Sequence, residues 1–416
     1  MALVHVVGAG LAGLASAVRL AERGRRAVVY EGAQQAGGRC RSYFDRALGR
    51  TIDNGNHLLL SGNRSAIAYL KTIGAEHSLI GPDEAIFPFV DLESGARWTI
   101  RPNPGPLPWW IAAPDRRVPA TRLSSYLVAA WRLGRAGPDD TIGDRLDARD
   151  PLWRAFWDPL ATAVLNTPPE TASARLLWQA LKESFAGGAA GCRPLVAGSG
   201  LSESFVHPAL RYLAGRGIEV GFGQRLRRFE IEDGRVQGLD FGERTVRLAD
   251  GDSVILALPP AVAGALLPDL TLPREAHAIV NGHFCLPQPV RLPEGSVLLG
   301  VIGGTAQWIF ARDALISLTV SAADDLADEP AEAIALRLWS DTARALDLPS
   351  SPLPPWRIVK EKRATFAQTP EAAQRRPGAK TRFANLLLAG DWTETGLPAT
   401  IEGAIRSGRQ AAELLG

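Results

Sequence analysis

Residues 3–31 read LVHVVGAGLAGLASAVRLAERGRRAVVYE. An apolar run at 3–7 leads into three glycines with the spacing G-x-G-x-x-G. A helical pattern follows over 11–23, and a second apolar run at 27–30 ends at Glu31. Such a succession predicts a strand, a helix and a second strand. This β-α-β beginning indicates an α/β protein with a Rossmann-type domain.

The three glycines have separate tasks in this context. Gly8 permits the tight turn, Gly10 lets the backbone approach a pyrophosphate, and Gly13 allows close packing of helix on strand. The amides at the helix N-terminus, around Leu11, attract the phosphate charge. Glu31 at the end of the second strand is placed to accept a hydrogen bond from a ribose 2′-OH. The pattern therefore predicts a dinucleotide site, and up to this point NAD and FAD fit equally.

Three further segments favour FAD. Residues 37–39 (GGR) offer two bare backbone amides and a guanidinium for a second approach to a pyrophosphate. Residues 53–55 (DNG) follow, and near the C-terminus Asp391 comes after an apolar run, where it is placed to accept from a ribityl hydroxyl. Pro398 is expected to begin a helix through Gly408 with its N-terminus at the flavin. The predicted cofactor-binding residues are Gly8, Gly10, Leu11, Ala12, Gly13, Glu31, Gly38, Arg39, Asn54, Gly55, Asp391, Pro398, Ala399 and Thr400.

Length and composition limit the number of domains and the kinds of partner that the chain can have. A chain of 416 residues predicts two domains, and 46% hydrophobic residues with a net charge of +2 give no footprint for nucleic acid. The three cysteines have no C-x-x-C spacing, so neither a disulfide framework nor a metal site is indicated, and a reducing cytoplasm is expected. No stretch approaches a membrane span once residues 3–21 are assigned to strand and helix, so membrane contact is expected to be peripheral.

The nucleotide-type signals lie in three separated pieces of the chain. Residues 1–62, 190–259 and 380–416 are predicted to form a discontinuous cofactor domain, and residues 63–189 and 260–379 an inserted substrate domain. The first inserted piece is expected to be helical and irregular, and the second to mix strands with a helix near 330–346. Asp233-Gly234 and Asp250-Gly251 are hairpin signals between short strands.

These motifs resemble the FAD-dependent amine oxidase and phytoene desaturase superfamily. The resemblance rests on residues 8–13, 31, 37–39, 252–260 (DSVILALPP) and 389–391 (AGD). A narrower similarity, to the squalene-associated hydroxysqualene dehydroxylase branch, is carried by residues 53–57 (DNGNH), 157–160 (WDPL), 165–169 (LNTPP), 361–366 (EKRATF) and 389–404 (AGDWTETGLPATIEGA).

The resemblance implies FAD as cofactor and a long-chain isoprenoid as substrate, with reduction of hydroxysqualene to squalene and loss of water in squalene and hopanoid synthesis. Upstream enzymes of the squalene pathway are implied as partners. A carotenoid-type desaturase, an amine oxidase and, outside enzymes, a prenyl-lipid escort protein are the alternatives. The sequence of the substrate region adds that it has no run of titratable residues, which suits an apolar cavity.

Several softer signals leave two interpretations each. His57 is either a proton donor to the reaction or a structural histidine. Asn166 and Thr167 either orient a substrate hydroxyl or cap a helix after the two prolines that follow them. Trp109 and Trp110, close to Arg116 and Arg117, lie either at a membrane interface on the inner face of the cytoplasmic membrane or in a packed surface loop.

Overall fold

The computed structural model describes residues 2–415, so the first and last residues of the predicted domain ranges lie outside it. The strands are β1 (Leu3–Val7), β2 (Arg26–Tyr30), β3 (Ser42–Asp45), β4 (Arg50–Asp53), β5 (Leu59–Leu60), β6 (Leu79–Ile80), β7 (Phe87–Asp91), β8 (Arg97–Ile100), β9 (Pro194–Ala197), β10 (Val220–Gly221), β11 (Arg228–Glu232), β12 (Arg235–Asp240), β13 (Thr245–Arg247), β14 (Ser253–Leu256), β15 (Ala276–Cys285), β16 (Leu298–Ile302), β17 (Trp308–Arg312), β18 (Leu315–Val320), β19 (Trp356–Phe366) and β20 (Leu386–Leu388). The α-helices are α1 (Leu11–Glu22), α2 (Arg64–Thr72), α3 (Leu123–Gly134), α4 (Ile142–Arg145), α5 (Asp158–Leu165), α6 (Ala174–Ser184), α7 (Ala189–Cys192), α8 (His207–Ala214), α9 (Pro260–Leu266), α10 (Asp324–Asp328), α11 (Ala331–Leu346), α12 (Pro370–Gln374) and α13 (Ile401–Glu413).

A parallel sheet with the order β10-β2-β1-β14-β20 forms the first body of the fold. Its strands come from three distant parts of the chain, and β1 lies at the centre, where Val6 pairs with Val29 on one side and Ile255 on the other. Helices α1 and α13 pack on this sheet in one apolar core. The expected α/β class with a Rossmann-type domain is confirmed, with α1 and α13 on one face of the parallel sheet and the three-stranded sheet β11-β12-β13 on the other.

A mixed sheet of seven strands forms the second body, in the order β19-β15-β18-β17-β16-β7-β8. One face packs on α11 through an apolar core that includes Leu318 and Trp339. The other face turns toward helices α3, α5 and α6, and Phe89 and Trp308 lie on that side. The sheet therefore has one covered face and one face that borders internal space.

Two expectations about local structure are wrong. Residues 63–189 are not wholly helical, because β7 and β8 form a hairpin that extends the seven-stranded sheet. All five residues of β7 are buried, so the strand shows no alternation of polar and apolar residues to reveal it. Asp233-Gly234 does join β11 to β12 as a hairpin, but Asp250-Gly251 does not, because β14 leaves β13 and enters the parallel sheet instead.

Helix α2 belongs to the first body by its packing. Tyr69 and Leu70 lie in the same core as α1 and α13. Glu402, in the first turn of α13, accepts hydrogen bonds from the backbone N–H groups of Ser65 (3.0 Å) and Ala66 (2.8 Å) and so caps the N-terminus of α2. The boundary expected at residue 62 falls just before this helix.

Candidate active site

The glycine loop after β1 forms a cradle with open space at its centre. Gly8 has a φ of +105°, and a Cβ there would collide with the carbonyl of Ala257. A Cβ on Gly13 would collide with the carbonyl of Gly8. At Gly10 the opposite holds, since an added Cβ would meet no protein atom within 4 Å. Two glycines therefore serve packing, and Gly10 opens on the cavity, as the close approach of a pyrophosphate requires.

The N-terminus of α1 points its free amides at this space. Gly10 is the N-cap residue of α1 and has no side chain to cap the first turn, and Leu11 and Ala12 line the same cavity as Gly10. Backbone N–H groups without a capping acceptor, at the positive end of a twelve-residue helix, are an anion site.

Glu31 borders the same cavity at the end of β2. One carboxylate oxygen accepts from the backbone N–H of Ala9 and the other from that of Ala33, both at 2.8 Å. These bonds fix the carboxylate beside the glycine loop, because each restrains a different oxygen. The position matches the hydrogen bond to a ribose hydroxyl that the sequence predicts.

The GGR segment folds back onto the glycine loop. Gly37 forms a parallel bridge with Gly10, and Gly38 has a φ of +58°. Arg39 crosses to the C-terminal part of the chain, where its guanidinium donates to Asp391 at 2.7 Å and to the carbonyl of Ala364 at 2.5 Å. The Asp391 carboxylate raises the pKa of Arg39 and keeps it charged. The other carboxylate oxygen of Asp391 has no protein donor among residues 2–415, which leaves it free for a ligand hydroxyl.

The last helix does not begin at the residue that the sequence predicts. Helix α13 begins at Ile401 and not at Pro398, because Thr400 is the N-cap residue and accepts from the N–H of Gly403 at 3.1 Å. Pro398 and Ala399 lie in the loop before it and line the cavity. The buried side chain of Arg376 donates to the carbonyls of Thr393 and Leu397 and so clamps this loop. Arg376 was not predicted, since an arginine outside any motif gives no signal in the sequence.

A cavity of about 1290 Å³ runs from the glycine loop into an apolar chamber between the two bodies. Its cofactor end is lined by Gly10, Glu31, Gly38, Arg39 and Asp391. Asn54 and Gly55 line its middle part, with the amide of Asn54 3.4 Å from Glu361. The far end is lined by the side chains of Phe87, Phe89, Phe156, Leu160, Trp308 and Phe310. An open cradle, a helix N-terminus and a long channel suit an extended dinucleotide such as FAD, with an apolar compartment beyond it.

His57 lines this cavity, but its protonation state does not suit the role of acid. Burial lowers the pKa of His57 to about 4, against a smaller opposing effect of Asp53. The imidazole is therefore neutral at pH 7 and holds no excess proton to deliver. The interpretation of His57 as a structural side chain of the cavity wall agrees better with this environment.

Asn166 and Thr167 have protein partners for their hydrogen-bonding groups. The Asn166 amide donates to the carbonyl of His277 (3.1 Å) and to Thr365 (3.0 Å), and its oxygen accepts from the N–H of Ala322 at 2.7 Å. Thr167 is fully buried, outside the cavity wall, and bonded to Leu165 and Gln368. No helix follows the two prolines directly, because α6 begins at Ala174 with Ser173 as its cap. Asn166 instead ends α5 in a left-handed conformation, with a φ of +46°.

The two adjacent tryptophans point in different directions. They lie in a 3₁₀ turn, Trp109–Ala112, in which successive side chains are about 120° apart. Trp109 is 53% exposed with Arg116 over its ring, whereas Trp110 is 7% exposed and packs edge-on against Tyr126. Of the two interpretations, Trp110 therefore fits the packed loop, and only Trp109 is exposed enough for the interfacial one.

Residues 2–415, which the structure describes, offer neither a metal site nor a membrane-spanning helix. They contain no group of three or more His, Cys, Asp or Glu side chains arranged to hold a metal ion. Within the same residues, no helix has both the length and the apolar character needed to cross a bilayer.

The sequence family and the cavity together define an FAD-dependent oxidoreductase. The chain belongs to the flavin-containing amine oxidoreductase family, whose sequence model matches residues 11–415. It is 48% identical over 413 residues to hydroxysqualene dehydroxylase of Rhodopseudomonas palustris, covering 99% of this chain and 98% of the relative. It is 45% identical to hydroxysqualene dehydroxylase of Zymomonas mobilis, over 100% of this chain and 99% of that protein.

More distant similarities bear on the fold and on the alternatives. The zeta-carotene desaturase of Synechocystis is 23% identical over 99% of this chain and 96% of its own. Cyclohexylamine oxidase from Brevibacterium oxydans has a similar structure, with a TM-score of 0.72 and 16% identity, covering 100% of this chain and 98% of that one. At that identity the likeness establishes the fold alone.

Proposed function

We propose that this protein reduces hydroxysqualene to squalene with release of water, in squalene and hopanoid synthesis. The observation that carries the proposal is the near full-length similarity to hydroxysqualene dehydroxylases, together with an apolar chamber that opens directly on the flavin cradle. In this reaction the C–O bond breaks, the oxygen leaves as water with the bonding electrons and a proton, and the carbon accepts a hydride. Bound FAD in its reduced form would supply that hydride and, on returning to its oxidised form, would release the one proton that the leaving oxygen takes up.

The lining of the chamber suits a reaction through an allylic cation. The rings of Phe87, Phe89, Phe156 and Phe310 surround the space, and aromatic faces attract positive charge. The same side chains exclude water, which would otherwise capture a cation before the hydride arrives. The proposed contribution of this chain is therefore to hold the isoprenoid beside the flavin, away from water, and to stabilise positive charge with aromatic rings.

For the cofactor we propose thirteen of the fourteen residues predicted from the sequence, with Arg39 and Asp391 acting as a pair and Gly13 serving the packing of α1 on the glycine loop. For the catalytic side chains, neither Asn166 nor Thr167 retains a free hydrogen-bonding group that would favour contact with the substrate. The ranges predicted for the cofactor and substrate domains stay a proposal, with α2 added to the cofactor domain because of its packing.

Hydroxysqualene incubated anaerobically with the photoreduced holoenzyme tests this function. We expect one squalene, measured by mass spectrometry, for each reduced flavin reoxidised. Oxidised holoenzyme incubated with phytoene or with a primary amine tests the alternatives, since a desaturase or amine oxidase would reduce its flavin with those substrates. A protein that purifies without flavin, and takes none up, would instead be a lipid escort.

We also propose peripheral contact with an anionic bilayer, through a surface called here the Trp131 surface. Its exposed apolar side chains are Leu107, Trp109, Leu123, Leu127, Val128 and Trp131. Exposed arginines adjoin it, among them Arg122, Arg132 and Arg135, and the guanidinium of Arg135 stacks on Trp131 at 4.6 Å. Apolar side chains bordered by cations fit an anionic membrane surface. Such contact gives a water-insoluble substrate a route from the cytoplasmic face of the membrane, where upstream pathway enzymes would release it.

A further inference from the structure

A small group of polar side chains lies beside the aromatic part of the cavity wall, next to Trp308. It consists of Asn281 on β15 and Thr319 and Ser321 at the end of β18, and is called here the oxygen pocket. Asn281 pairs directly with Thr319 across the antiparallel strands, and Ser321 is the first residue after β18 ends. All three line the cavity and are at least 92% buried, with exposures of 2%, 8% and 4%.

The amide of Asn281 is held in one orientation. Its oxygen accepts from the hydroxyl of Thr319 at 2.9 Å and from the backbone N–H of Asn56 at 3.4 Å. The amide nitrogen is thereby turned toward Gly55, where a Cβ would come within 3.3 Å of it. Gly55 belongs to the predicted cofactor-binding loop, so the nitrogen lies between the chamber and the flavin end of the cavity.

The Nδ2 group of Asn281 has no acceptor in the part of the chain that the structure describes, and it is reached from the cavity. The hydroxyl of Ser321 is in the same condition, since only its backbone groups bond to Gln307. Neither atom is enclosed by protein, so a ligand that fills the cavity without offering an acceptor would bury both donors unpaired, at the cost of their desolvation. This contrasts with Asn166, on the same cavity wall, whose amide groups are all bonded to protein.

We propose that Asn281, assisted by Ser321, donates hydrogen bonds to the oxygen of the substrate alcohol and positions its C–O bond against the flavin. This assignment rests on the proposed function. A donor on the leaving oxygen stabilises the negative charge that develops there as the C–O bond breaks, and the oxygen departs as water once it has taken up a proton. A hydrocarbon has no atom that could satisfy these groups, so the pocket selects the alcohol.

Equilibrium dialysis in detergent micelles measures this selection without turnover, because the oxidised holoenzyme holds no hydride. The probes are hydroxysqualene and squalene. We expect Asn281→Leu to bind hydroxysqualene about five- to tenfold more weakly and squalene about as well as wild type. Ser321→Ala should also weaken the binding of hydroxysqualene and not that of squalene, by a smaller factor. The matched control is Leu160→Ala, which removes an apolar lining group and should weaken both ligands alike.

Steady-state kinetics separates positioning from packing. Loss of a donor that acts on the departing oxygen should lower kcat about a hundredfold in Asn281→Leu, with a smaller rise in KM. Asn281→Asp keeps an oxygen that accepts a hydrogen bond from Thr319 but removes both N–H donors. Its kcat should therefore fall as far as that of Asn281→Leu. Flavin content and absorbance should match wild type in every variant.

Three results would overturn the assignment: wild-type alcohol binding and kcat in Asn281→Leu, equal losses for alcohol and hydrocarbon, or a changed flavin spectrum with unchanged alcohol binding. Failure of the proposed function looks different. Wild-type enzyme that prefers the alcohol over squalene, but forms no squalene when reduced, would refute the reaction and support the oxygen pocket.

Discussion

Replacing two side chains of the Trp131 surface should release the protein from anionic membranes. Leu127 is 53% exposed and Trp131 59% exposed, so about half of each side chain is available to a bilayer. Burying a whole leucine contributes about 1.5–3 kcal/mol, which gives about 1 kcal/mol for the exposed half of Leu127. The exposed part of a tryptophan ring, about 120 Å², would contribute about 3 kcal/mol if fully buried. Because interfacial immersion is partial, we expect about 2 kcal/mol in total, or about thirtyfold in the partition coefficient.

The assay is co-sedimentation of the Leu127→Ser/Trp131→Ser variant with phosphatidylglycerol-containing liposomes. Phe44→Ser/Leu336→Ser is the matched control, because it also removes an aromatic and an aliphatic side chain, 63% and 54% exposed, elsewhere on the molecule. Binding by wild type should weaken as salt rises, since the arginines contribute through screened charge. Equal losses in the two double variants, or liposome binding by the Trp131-surface variant at the wild-type level, would refute the reasoning.

Four further outcomes are expected. Gly10→Val should abolish flavin retention, measured by absorbance after gel filtration, because its side chain fills the open cradle. Glu31→Ala should weaken FAD binding by about 1.5–3 kcal/mol in a titration of apoprotein, through loss of a charged hydrogen bond. Arg376→Met should release the loop that it clamps and speed flavin loss in urea, with little change in the reduction of flavin that stays bound. Burial lowers the pKa of His283 to about 4, so the unfolded chain binds its proton first and stability should fall as pH drops from about 6.5 toward 4. By pH 5 this loss of stability amounts to about 2 kcal/mol. The free energy of unfolding of His283→Gln, measured in urea, should not show this part of the pH dependence.

That the glycine loop, the N-terminus of α1 and Glu31 line the same end of the cavity could be predicted because their determinants are local. The turn at Gly8, the helix at Leu11 and the acid at Glu31 follow one another within a single β-α-β unit, and each has a chemical reason for its residue type. Distance along the chain did not prevent prediction of Asp391 either, since it follows a recognisable apolar strand. The exact start of α13 was missed because Thr400 and Pro398 are both good residues for a helix N-terminus, and only the backbone conformation decides between them.

The substrate end could not be predicted in the same way. Asn281 and Thr319 become neighbours only through the register of β15 with β18, which depends on long-range pairing. Asn166 has the same side-chain chemistry as Asn281 and lies in a more conspicuous motif, LNTPP, yet its partners on β19 and after β18 satisfy it. The sequence indicates that carboxamide side chains are available near the substrate. The pairing of β15 with β18 determines that Asn281, and not Asn166, retains a free N–H donor.

The oxygen pocket also separates the proposed reaction from its nearest alternative. A desaturase of long polyenes handles substrates without oxygen, and for such a substrate the unpartnered groups of Asn281 and Ser321 would only add a desolvation cost to the cavity wall. An amine oxidase would face the same groups with an ammonium or amine, which needs an acceptor more than a donor. An alcohol oxygen can accept hydrogen bonds from these two side chains. The aromatic lining beyond them suits the allylic cation that forms when the oxygen leaves. Free donors beside the aromatic part of the cavity are therefore suited to the ionisation of an isoprenoid alcohol.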